Sequence, residues 1–162
     1  LEEEEDFDFE EEDDDIVIAE IFEVNAIDSE KKYVKIAIDS AAAESVCPPN
    51  WASEFKVTPC QEGQEQKFVN ASGGSIKHFG QKRVALDNPS GGRVIGMPFQ
   101  ACEVKRPLAS VRRICEKGNV VQFGPGVADN FILNVKTREK IWLKQERGQY
   151  IMEASLATDS PF

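Results

Sequence analysis

The sequence predicts an all-β, barrel-like domain with one short helix. Short apolar runs rich in β-branched and aromatic residues recur along the chain, separated by turns built on Gly, Pro, Asn and Asp. Only one stretch, near residues 108–117, repeats its apolar residues at helical spacing. The chain has 162 residues, 41% hydrophobic and 30% charged, which is a globular composition long enough to bury one core.

The run Ile16 to Val24 reads as a strand and residues 25–32 as a polar turn. Tyr33 to Asp39 is a second strand, pairing with the first as a hairpin and alternating Val34, Ile36 and Ile38 on one face. Residues 41–46 start a turn that Cys47-Pro48-Pro49 stops, and residues 50–67 read as irregular around Trp51 and Phe55. Phe68-Val69 leads into a Gly-rich segment, residues 71–80, and then into a run through Val84. Gly91-Gly92 separates this from a strand over residues 93–104 with an internal Gly and Pro. Pro107 opens the helix, with Leu108, Val111, Ile114 and Cys115 on one face, Arg112, Arg113, Glu116 and Lys117 toward water, and Gly118 at its end. Four short strands close the chain, at residues 120–123, 131–135, 140–143 and 149–152.

The net charge of −10 is unevenly placed. Residues 1–15 hold twelve of the 29 acids and no Lys or Arg, so the body carries seventeen acids against 19 bases and is nearly neutral. Such an arm repels itself and lacks the apolar area to fold alone. It contains Phe7 and Phe9 between Asp6, Asp8 and Glu10, and reads either as a solvated tail or as a docking peptide whose rings enter a partner's groove while its carboxylates meet cations. The organisation is therefore an acidic arm (1–15), a folded domain (16–155) and a C-terminal tail (156–162). The opening residue is Leu1 rather than Met, which is read as a fragment or a processed product.

No apolar run approaches the ~20 residues of a membrane-spanning helix, so no transmembrane segment is expected. The four cysteines form no C-x-x-C pair and His78 is the sole histidine, so no metal site and no cofactor are expected. His78 has no Cys or Ser beside it in a nucleophile motif and reads as an exposed residue of the Gly-rich hairpin. Glycine pairs without a following helix exclude a dinucleotide loop. Nucleic-acid binding is not expected of a nearly neutral body. Lys105-Arg106 and Arg112-Arg113 form a modest basic cluster, either a solvated face or a landing place for an acidic partner.

The triplet that bears on chemistry is Asp39-Ser40-Ala41, at the exit of an apolar strand. Two carboxylates brought within about 3 Å cannot both ionise easily, so one acid and one base coexist and together activate a water. Such a site needs a small residue after the Ser, because backbone N–H groups must approach the carboxylates.

In order along the chain stand an apolar strand, D-S-A-A-A-E-S-V, the hairpin A-S-G-G-S-I-K-H-F-G, the Pro107 to Ile114 helix, V-V-Q-F, the hairpin from Asn134 to Ile141, and G-Q-Y-I. Over roughly residues 33–152 this series resembles the aspartic protease region of Copia-type retrotransposon polyproteins. The resemblance implies a closed retropepsin-like barrel, Asp39 and Ser40 as the catalytic pair with Ala41 in the position of a glycine, Ser72, Gly73 and Gly74 as a flap-like turn, and activity only as a homodimer. The Ala41 methyl is expected to tilt a carboxylate or to keep two such loops apart. With that departure and the arm together, the sequence favours a non-catalytic retropepsin-like subunit that docks on a protein partner with a basic or apolar groove. An active homodimeric aspartic endopeptidase that processes a polyprotein is the other reading.

Overall fold

The computed structural model describes residues 31–69 and 72–158. The acidic arm with Phe7, Phe9, Asp6 and Asp8, and the expected strand over residues 16–24, lie outside them. The described chain is mostly β, with one short helix.

Among the described residues twelve strands run in the order β1 (Tyr33–Asp39), β2 (Val46–Cys47), β3 (Val57–Pro59), β4 (Phe68–Val69), β5 (Ser75–Ile76), β6 (His78–Asp87), β7 (Val94–Cys102), β8 (Leu108–Ser110), β9 (Asn119–Gln122), β10 (Phe131–Asn134), β11 (Lys140–Glu146) and β12 (Gln149–Leu156). Helix α1 (Val111–Glu116) follows β8 directly. Ten strands form one sheet in the order β3-β6-β7-β2-β8-β1-β12-β11-β10-β9, and β12 also pairs with β6. β4 and β5 form a separate two-stranded sheet.

β1 follows its alternation: Val34, Ile36 and Ile38 are buried, and Tyr33 and Lys35 are exposed. Its neighbours are β12, antiparallel from Tyr33↔Ser155 to Ile38↔Tyr150, and β8, parallel from Ala37↔Leu108 to Asp39↔Ser110. The core gathers Ile36, Leu86, Phe99, Ile132 and Met152, all nearly inaccessible, with Trp51 meeting the edge of Phe99 at 5.2 Å between centroids. Pro98 is tolerated inside β7 because β2 reaches only Gln100 and Ala101, leaving no strand beside that edge at Pro98.

Two expectations are corrected. The helix begins three residues later than its apolar spacing suggests, because Leu108, Ala109 and Ser110 are captured as a strand by β1; Cys115, expected on the apolar face, is exposed. Residues 50–67 are not wholly irregular, since Val57–Pro59 pairs with β6 from Val57↔Lys82 to Pro59↔Gly80. Gly80 permits that pairing: its φ is +149°, and a Cβ there would collide with the Thr58 carbonyl.

The inward position between Gly80 and Val84 is Lys82, only 1% exposed. Its ammonium donates to the carbonyls of Pro49 (2.9 Å), Ala52 (3.3 Å) and Trp51. Those carbonyls belong to a turn in which Ala52 holds a positive φ of 53°. The lysine thus replaces the hydrogen bonds that a regular strand or helix would supply.

Candidate functional site

Asp39 ends β1, and the loop that follows is fixed residue by residue to the start of α1. The parallel register sets Asp39 beside Ser110, the N-cap of α1. Ser110 Oγ donates to the Ala42 carbonyl at 2.7 Å while accepting from the Arg113 amide at 3.2 Å. An Arg112 guanidinium nitrogen donates to the Ala43 carbonyl at 3.0 Å, and Arg113 pairs with the Glu44 carboxylate at 2.6 Å. The Ser110 amide donates to Ser45 Oγ at 2.9 Å. The Arg pair that the sequence left open as a landing place is therefore engaged within the chain.

This bracing leaves the triplet itself at the surface. Asp39 is half-buried, and Ser40 and Ala41 are exposed. The Ala41 amide donates to Asp39 Oδ1 at 2.8 Å, a bond that favours the ionised carboxylate. Ala41 is not among the residues with positive φ, so its methyl adds no backbone strain within one chain.

Ser72, Gly73 and Gly74 form the exposed turn between β4 and β5, where Phe68 pairs with Ile76 and Val69 with Ser75. Gly73 has a φ of +90°, which suits the tight turn. This hairpin belongs to its own sheet, apart from the sheet that carries Asp39.

His78 is not an exposed hairpin residue. It begins β6, is half-buried, and lies 3.3 Å through Nδ1 from Cys60 Sγ. The Gln66 amide donates to Nδ1 at 2.9 Å, and Nε2 lies 2.9 Å from Gln100 Oε1 and 3.1 Å from the Gly80 carbonyl. Sequence reading missed this pair because eighteen residues separate its members and no local motif links them. The pairing of β3 with β6 brings the two chain segments together.

A groove of about 300 Å³ lies on the outer face of β1, lined by Lys35, Ala37, Arg106, Leu108, Glu146 and Arg147 among others. Among the described residues no group of three or more His, Cys, Asp or Glu is placed to hold a metal ion. Also among them, no helix is long and apolar enough to cross a membrane.

Comparison with protein-family models, with curated proteins and with solved structures finds no match to this chain.

Proposed function

We propose that this chain is a retropepsin-like domain of the Copia type that contributes one catalytic aspartate, Asp39, to a homodimeric aspartic endopeptidase. The observation that carries the reading is the Asp39 loop: an exposed triplet at a strand end, its carboxylate bonded by the Ala41 amide, on a loop braced from Ala42 to Ser45 by β8 and α1. Rigid positioning of a reactive group is worth maintaining only where small displacements matter, and errors of about 1 Å cost about 100-fold in rate. The barrel expected from the resemblance is supported by strand pairing that runs β6-β7-β2-β8-β1-β12 and returns to β6.

In the proposed dimer the two Asp39 carboxylates share one proton. The ionised carboxyl takes a proton from water as its oxygen attacks the peptide carbonyl carbon; the protonated one donates to that carbonyl oxygen. Proton transfer to the amide nitrogen then releases the two peptides. Ser40 follows Asp39 in each copy, where its hydroxyl braces one loop against the other. Ser72, Gly73 and Gly74 serve as the flap-like turn over an extended substrate.

The test is cleavage of an unfolded protein at mildly acidic pH, with molecular mass measured over the same concentrations. Activity is expected to appear with the dimer and to fall by at least about 100-fold in Asp39→Asn, with the fold unchanged. A wild-type dimer that cleaves nothing overturns the catalytic reading.

The second reading, a non-catalytic assembly subunit, is favoured by the groove on β1. Lys35, Arg106 and Arg147 line it with Glu146, to which Lys35 is paired at 3.2 Å, and the surplus of cations suits an acidic segment such as residues 1–15 of a twofold mate. Phe7 and Phe9, flanked by Asp6 and Asp8, would then be its anchors. Binding of a peptide of residues 1–15 that weakens in Arg106→Ala and with salt supports this reading.

A further inference from the structure

The chain between β3 and β6 joins two strands that already pair at Pro59 and Gly80, so this excursion starts and ends at one place on the sheet. Three of its residues converge on the ring of His78, the first residue of β6. The Gln66 amide donates to Nδ1 at 2.9 Å, and Cys60 Sγ lies over the ring face, 3.3 Å from Nδ1 and 3.9 Å from Nε2. Phe68 of β4 meets the ring in a T-shaped contact at 5.3 Å between centroids. An amide nitrogen can only donate, so Nδ1 is the unprotonated nitrogen of a neutral imidazole and its lone pair is filled. The ring proton sits on Nε2, where Gln100 Oε1 at 2.9 Å and the Gly80 carbonyl at 3.1 Å accept it. Gln100 is only 2% exposed, and its backbone amide is held by the Ser45 carbonyl at 2.8 Å. One nitrogen is thus committed to the fixed sheet and the other to the excursion. A second proton has only Nδ1 to bind, and there it sets a donor against the Gln66 donor.

We propose that His78 is a pH-sensitive latch: neutral, it holds Gln66 and Phe68 against β6, and as imidazolium it releases them, freeing the β4–β5 hairpin that carries Ser72, Gly73 and Gly74. Histidine is the side chain whose charge changes between pH 5 and 8. The titratable groups around the ring are Cys60 over its face, Cys102 opposite it on β7, and Glu65, Lys77 and Glu103 in the adjoining stretches. Burial and the Glu65 carboxylate push the Cys60 thiol up, and burial pushes Cys102 up to about 11, so neither sulfur supplies a counter-charge to imidazolium in this range. Glu65, Lys77 and Glu103 are exposed, where water screens them. The Gln66 bond is therefore the contact that the second proton breaks. Its consequence for catalysis rests on the proposed protease reading: the flap-like turn gains freedom in the acidic range where a proton-sharing carboxylate pair works. The latch itself shares no residue with the Asp39 loop.

The test is amide hydrogen exchange on the full chain across about pH 5 to 8, each rate divided by the rate of an unstructured amide at the same pH. Protection at the Gln66 amide is expected to fall about 10-fold toward the acidic end, the worth of one hydrogen bond, while the core amides of Ile36 and Phe99 keep theirs. In His78→Asn the side-chain oxygen takes the place of Nδ1 as an acceptor that does not titrate, so protection at Gln66 is expected to stay level across the range. Protection at Gln66 that is unchanged with pH in the wild-type chain overturns the proposal, as does an equal fall at Ile36 and Phe99, which would be general unfolding. That wild-type comparison decides even where the variant fails to fold. Exchange is read without substrate, so a chain that cleaves nothing but shows the fall at Gln66 loses the protease reading and keeps the latch.

Discussion

Single residues in this fold carry sharp energetic consequences where burial meets polarity. Cys47 and Cys102 are fully buried, and burial pushes their thiols from the ordinary value of 9.0 up to about 12 and about 11. Below pH 9 both folded and unfolded chains hold these protons and stability does not respond. Between pH 9 and about 11 the unfolded chain releases them and the folded chain does not, so stability falls with rising pH, by up to about 1.4 kcal/mol per unit for each thiol. Lys82 works in the opposite sense, because burial lowers its pKa and the fold gains relative stability as the ammonium is lost. Urea unfolding from pH 8 to 10.5 therefore separates the two: Cys47→Ala should flatten the alkaline decline, and an unchanged slope contradicts the assignment. Gly80→Ala is a second case, since the added Cβ meets backbone rather than a movable side chain. A loss of at least about 2 kcal/mol is expected by the same assay, and a neutral result contradicts the close approach of β3 to β6.

Among the elements, β8 and α1 act as one unit that holds the Asp39 loop. Ser110→Ala removes both the N-cap and the bond to the Ala42 carbonyl. A loss of about 1–2 kcal/mol in chemical unfolding is expected. Faster exchange at the Ala41 amide is expected with it, and unaltered exchange would show that the loop does not depend on α1. The same elements show how far the sequence could be read. β1 was legible to the residue because one buried face imposes strict alternation on Tyr33 to Asp39. The onset of α1 was not, because Leu108 and Ala109 fit either period and only pairing with β1 decides between them. Ser110, an N-cap type residue, was the local signal for the true start. Lys82 was invisible as a core residue because nothing in its sequence neighbourhood announces the three carbonyls that satisfy it.

At the scale of the whole molecule, the antiparallel pairing of β12 with β6, Ser155↔Asp87 and Leu156↔Leu86, ties the last described strand to the middle of the chain. The Ala157 amide bonds the Ala85 carbonyl at 2.9 Å, so packing runs one residue beyond β12. The Asp39 triplet was found in the sequence because it sits on a recognisable strand end; the bracing of its loop was not, since that depends on contacts up to 69 residues apart. The groove and the Cys60 pair escaped for the same reason. What the whole molecule is proposed to do requires two copies, each supplying one carboxylate. Mixing wild-type chain with Asp39→Asn at fixed total concentration, with exchange allowed to reach equilibrium, tests this most directly. Cleavage should fall as the square of the wild-type fraction, because only dimers with two intact carboxylates turn over; a linear fall, or no fall, contradicts a shared active site.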